Sequence, residues 1–150
     1  MKKIFAFCLL CMPMAVFAKG FDTTLEIRNT HSTYVNRGEC SIKFEAIAHD
    51  SIDNVNALSF DVTAQTRKGA LILRKVITVN RTDFEMVLGK TYFNFYIEGN
   101  EACDIDGQVV RINSVIAQFN DGSPNENLIK NKKVSERKFT PVKLVFGQPK

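Results

Sequence analysis

The 150-residue chain contains no tryptophan, only two histidines, four prolines, and eight glycines that sit singly. Each shortage excludes something. Isolated glycines leave no Gly-rich phosphate loop, and no Gly-x-Ser-x-Gly elbow occurs. The two histidines and the two cysteines beyond the N-terminal run, Cys40 and Cys103, show no paired spacing of a zinc knuckle. No cofactor motif is present, so neither a cofactor nor a metal is expected. The formal charge of +4 is small, and a protein that coats nucleic acid carries more, clustered on one face. Heptads and internal repeats are absent, which removes coiled coils and solenoids. The one long apolar run lies at the N-terminus and spans about fifteen residues, short of the roughly twenty needed to cross a bilayer.

That run reads as a secretory leader. Lys2 and Lys3 precede an apolar stretch from Ile4, Pro13 breaks it, and Val16-Phe17-Ala18 offers a cleavage site after Ala18. The expected organisation is a signal peptide over 1–18 and one domain over 19–150. The expected product is exported, periplasmic or extracellular, and has no membrane span. Cleavage removes Cys8 and Cys11 and leaves Cys40 and Cys103. In an oxidising compartment these two are expected to form one intramolecular disulfide. A reactive thiol and an intermolecular bridge are the other available states.

The remainder is almost all period two. Ile42, Phe44 and Ala46 alternate with Lys43 and Glu45; Leu58, Phe60 and Val62 alternate with Ser59 and Asp61. Phe93, Phe95 and Ile97 face away from Tyr92, Asn94 and Tyr96. Half-buried strands use this pattern and helices cannot. Leu71–Val79, Phe84–Leu88, Val109–Phe119 and Val142–Phe146 extend it, with Phe84, Met86 and Leu88 on one expected inward face. Turn signals at Gly38, Gly69, Gly89, Gly99 and Gly107 separate the runs at about ten-residue intervals. The expected fold is an all-β antiparallel sandwich, fibronectin III/immunoglobulin-like, with seven or eight strands. Asp121–Glu136 is more polar and less regular. It leads to a last strand that can pack at home or on a second copy, so a strand-swapped homodimer is expected.

No residue set identifies a reaction, and an enzyme is not expected. His49-Asp50-Ser51 places triad residue types side by side, but working triads are assembled from distant loops. Candidate partner-binding residues fall in the Tyr34, Asn36, Arg37 loop and in the loop carrying Asn100, Glu101, Asp104 and Asp106. Tyr92 and Tyr96 share one strand face and add a contact patch if that face is exposed, because Tyr is favoured at interfaces. Lys130, Lys132, Lys133, Arg137 and Lys138 form a basic cluster.

The leader Met1–Phe7, Gly38-Glu39-Cys40, Thr91–Tyr96 and Gly99–Cys103 together resemble the small secreted bacterial interleukin receptor mimics, over most of the chain. The resemblance implies a fibronectin III-like sandwich, a domain-swapped dimer and binding of host cytokines of the interleukin class. Two features depart from immunoglobulin domains proper: the missing Trp, and Glu101 where a corner Tyr precedes the second cysteine. The leading expectation is a secreted, virulence-associated receptor mimic. The alternative is an envelope-associated coat or adhesion component that binds surface glycans or a pilus through the basic cluster.

Overall fold

The computed structural model describes residues 20–35, 39–105, 108–137 and 142–147, with the strand path alone for 31–35. The expected leader lies outside the described residues. Ten strands build two sheets. The first sheet has β1 (Leu25–Val35), β2 (Glu39–Ala48), β5 (Glu85–Val87), β6 (Lys90–Gly99) and β9 (Val134–Glu136), in the order β5-β6-β2-β1-β9. The second has β3 (Val55–Gln65), β4 (Leu71–Asn80), β7 (Val109–Phe119) and β10 (Lys143–Phe146), in the order β10-β7-β3-β4. The two-residue β8 (Glu126–Asn127) pairs with the C-terminal half of β7, beside Ile116 and Ala117.

The all-β sandwich matches the expectation, but the strand count exceeds seven or eight. The additional strands are short pieces, of which β8 and β9 lie in the segment read as irregular. Two pairings are also parallel rather than antiparallel: β1 with β9, and β7 with β10. The cause is the path of the tail. After β8 it leaves the second sheet, lies beside Leu25–Ile27 in the first, then returns to Val109–Ile112 in the second. Successive crossings between sheets allow parallel pairs, whereas hairpins enforce antiparallel ones.

The alternating apolar residues meet between the sheets. Ile42, Phe44 and Ala46 of β2 and Phe93, Phe95 and Ile97 of β6 face Leu58, Phe60 and Val62 of β3, all buried. Phe44 and Phe95 are direct cross-strand partners, stacked with ring centroids 5.0 Å apart. Phe60 crosses from the other sheet to stack on Phe95 at 4.3 Å. Aromatic contacts of this kind add about 0.5–1.5 kcal/mol beyond area burial. Among the described residues Phe21, Phe44, Phe60, Phe93 and Phe95 are buried and supply the large core side chains of a sequence without Trp.

The interior also contains polar groups with partners. Asn29 is buried at a bulge of β1, where its Nδ2 donates to the Lys43 carbonyl at 2.9 Å. On the outer face of the second sheet, Asn113 Nδ2 donates to Thr63 Oγ1 at 2.7 Å. Beside it Arg74 grips Asp61 with two bonds, of 3.0 and 2.6 Å. The Arg74 bonds hold the Asp61 carboxyl below its ordinary range, against the opposing push of burial.

Among the described residues β4 ends the second sheet. Its Val76 is 70 % exposed, and a ten-residue edge invites pairing with other chains. Lys75 counters this. It is the inward-facing position between Leu73 and Ile77, and its Nζ donates to the Glu98 carbonyl of β6. An inward charge on an edge strand is a known block to edge-to-edge association.

Candidate functional site

The sequence-derived contact residues separate into two places. The first is one pole of the sandwich. There Tyr34 pairs with Cys40 and Val35 with Glu39 at the close of the β1–β2 hairpin. Cys40 is joined to Cys103 with the Cα atoms 5.0 Å apart, as expected from the sequence. Cys103 sits in a 3-10 turn, Asn100–Asp104, whose Ala102 is buried. Ile105 just beyond is also buried, so the turn has apolar anchors on both sides of its cysteine. Asn100, Glu101 and Asp104 are left exposed. Gly99 opens the turn at φ +132°, where a side chain is strained, and a Cβ there would approach Glu101 Oε2 to 3.2 Å. Asn36, Arg37 and Asp106 lie outside the described residues.

The second place is the outer face of the first sheet. Tyr92, half-buried, pairs with Ile47; Asn94 pairs with Glu45; Tyr96, 43 % exposed, pairs with Lys43. Glu45 also forms an ion pair with Arg28 of β1. The period-two reading of Tyr92, Asn94 and Tyr96 therefore holds, and the face they occupy does meet solvent. Ile47 is buried although it points outward; its register neighbours Glu26 and Tyr92 flank it. Tyr92 is seven residues from Gly99 along β6, roughly 23 Å at strand rise. Tyr96 is three residues from Gly99, roughly 10 Å, so the tyrosine face adjoins the disulfide pole at one end and leads away from it at the other.

The other sequence candidates have local roles. His49 Nε2 lies 3.2 Å from Glu26 Oε1, across the β1–β2 pair. Lys133 belongs to a structural node: it contacts Glu126 at 2.6 Å and the Phe21 carbonyl. Lys130 and Lys132 are the exposed part of the basic cluster, and Lys138 lies outside the described residues. Groups of three or more His, Cys, Asp or Glu placed to hold a metal are absent among the described residues. No helix among them is long and apolar enough to cross a membrane.

One feature escaped the sequence reading. Leu88, expected to face inward with Phe84 and Met86, is 98 % exposed. Strand β5 ends at Val87 and β6 begins at Lys90, so Leu88-Gly89 is a two-residue hairpin loop. Both have positive φ, 50° and 77°, as in a type I′ turn, where Asn-Gly is the favoured pair. Leucine in this conformation costs on the order of 1–2 kcal/mol. Met86 and Val87 beside it are also exposed. The loop length between Val87 and Lys90 was the available signal: two residues ending in Gly demand φ > 0 at Leu88 and break the inward alternation. Leu88→Asn is expected to raise stability by about 0.5–1 kcal/mol. A rise of a few degrees in the thermal midpoint would show it; a fall would mean that the leucine packs on something.

Val87 connects this tip to the tyrosine face. A cleft of about 300 Å³ is lined by Val87, Tyr92, Asn94, Lys43 and the acids Asp83 and Glu85.

No family model matches the chain, and no curated protein matches it. Among solved structures, the fold is similar to that of IrmA from Escherichia coli, with a TM-score of 0.56 and 12 % sequence identity. The similarity covers 79 % of this chain and 95 % of that one. At that identity the likeness is one of fold.

Proposed function

We propose that the chain is an exported, non-catalytic binding protein that acts as a receptor mimic for host interleukins. The observation that carries a binding role is the solvent-exposed outer face of the first sheet, where Tyr92 and Tyr96 stand among Lys43, Glu45 and Asn94 over a phenylalanine core. Tyrosine supplies large contact area at small entropic cost, and the stacked core beneath it keeps the backbone rigid. The interleukin class rests on the resemblance of the leader, the two cysteine segments and Thr91–Tyr96, and the fold likeness to IrmA is consistent with it. The disulfide and the absence of a membrane-crossing helix among the described residues fit an exported protein.

A homodimer belongs to the same reading. β10 is four residues long and lies on the N-terminal half of β7. The same pairing formed with a second copy's β7 would give an exchanged dimer.

The test is direct binding of oxidised residues 19–150 to a panel of immobilised human interleukins, with envelope glycans as comparison surfaces. Saturable binding to one cytokine, competed by its soluble receptor and reduced at least tenfold by Tyr96→Ala, is the expected result. Salt-sensitive glycan binding without a cytokine signal would replace the proposal with an envelope role through Lys130 and Lys132.

A further inference from the structure

The large exposed apolar side chains among the described residues are few, and two aliphatic ones have a local account. Leu71 opens the edge strand β4, and Val76 is flanked there by Arg74 and Lys75. Met86, Val87 and Leu88 differ, being consecutive and sited at a protruding tip. A Cβ added at the neighbouring Gly89 would meet nothing within 4 Å. The turn accepts backbone strain to place a leucine where asparagine or glycine is favoured. Strain of that kind persists where something else selects for the side chain.

We infer that the interleukin-binding surface runs along the outer face of the first sheet and is anchored by Leu88, which enters an apolar pocket with a basic rim on the bound protein. This rests on the receptor-mimic reading. Continuity is the first support: Val87, next to Leu88, and Tyr92 line one cleft, so tip and tyrosine face form a single surface. Charge is the second. In that cleft the acids Asp83 and Glu85 face one lysine, Lys43, while Glu45 is paired with Arg28. Beside the tip, Arg81 is paired with Asp53, and Lys90 is the register partner of Val87. The cleft therefore favours a basic group on the rim of the bound protein's pocket. Size argues against lipid. The three side chains together hold fewer carbons than one myristoyl chain, which by itself anchors only marginally. An apolar knob with a tyrosine beside it is instead the composition of an interface centre.

The experiment compares the oxidised mature protein with Leu88→Asn, Glu85→Gln and Val76→Thr on the same interleukin panel. Val76→Thr removes another exposed apolar side chain, from the other sheet. Leu88→Asn is the residue the turn prefers, so folding is retained, and thermal unfolding checks this directly. Expected is about 10–100-fold weaker cytokine binding for Leu88→Asn. Glu85→Gln should weaken binding a few-fold, with the difference vanishing at high salt, and Val76→Thr should have no effect. Binding by Leu88→Asn within twofold of the parent overturns the anchor and leaves the receptor-mimic proposal standing. Failure of the parent to bind any interleukin overturns both. Co-sedimentation with phosphatidylcholine vesicles, lost in Leu88→Asn, would overturn the protein pocket in favour of lipid.

Discussion

Replacing Cys40 and Cys103 together by serine is expected to lower the unfolding free energy by about 4 kcal/mol. The bridge joins positions 63 residues apart, and closing a loop of that length removes about this much entropy from the unfolded chain. For a protein of this size the corresponding fall in the thermal midpoint is on the order of 15 °C. Against typical stabilities of roughly 5–15 kcal/mol, such a loss brings the fold near its limit. The loss should also be local. The Asn100–Asp104 turn is tied to β2 by this bond, with Ala102 and Ile105 as its apolar anchors. In the variant, amide exchange at Ile105 and Gln108, which donate to Ala102 and Ile105 carbonyls, should accelerate first. The β3–β7 ladder should retain protection until global unfolding. Denaturant titration of both proteins, with thiol counting on the unfolded parent, measures the effect. A loss below 1 kcal/mol, or free thiols in the parent, would show that the bridge does not constrain the chain.

The disulfide and the long strands were readable because each depends on a simple, local rule. Compartment and cysteine number gave Cys40–Cys103. Period two gave β2, β3 and β6 with their inward faces, and Phe44, Phe60 and Phe95 arrived in the core as patterned. Edges and tips were less legible. Leu88 continues an apolar alternation in sequence, yet the two-residue loop overrides it. Val76 follows the β-branched composition of its strand, but on an edge there is no third layer to cover it. The segment from Asp121 to Glu136 was read as irregular because its order comes from distant partners. Strands of two or three residues have no periodicity to detect, and β8 and β9 exist only through β7 and β1. The contact residues were legible as types and not as a group, since the neighbours of Tyr92 and Tyr96 across β2 and β5 follow from strand register, which sequence spacing alone does not supply.

The same segment contains the second large effect, centred on Glu126. Phe21 is 1 % exposed and enters the core shortly after the expected cleavage point. Its amide donates to Glu126 Oε2 at 2.9 Å, and its carbonyl accepts from Lys133. The other Glu126 oxygen accepts from Asn131 Nδ2 at 2.8 Å and faces Lys133 Nζ at 2.6 Å. One carboxylate therefore fastens the start of the domain to its tail. Burial pushes the Glu126 carboxyl upward, but the bonds from Lys133, Asn131 and the Phe21 amide, with the Lys133 charge, outweigh it and hold the group below its ordinary value of 4.5. A lowered folded value means stabilisation that is complete above the unfolded value and disappears as pH falls through the folded one. Glu126→Gln should cost about 2–3 kcal/mol at pH 7, because a partly buried Lys133 and the Phe21 amide lose their charged partner. The gap between parent and variant should hold down to about pH 5 and close progressively as pH falls on through the parent's lowered folded value, where its carboxyl becomes protonated too. Lys133→Met should cost a similar amount, and the double variant less than the sum, because the two changes break one interaction. Urea unfolding at pH 7, 5 and 3 follows the whole pattern. A gap independent of pH would assign the role of Glu126 to packing and remove the charge clamp from the account of how the tail is held.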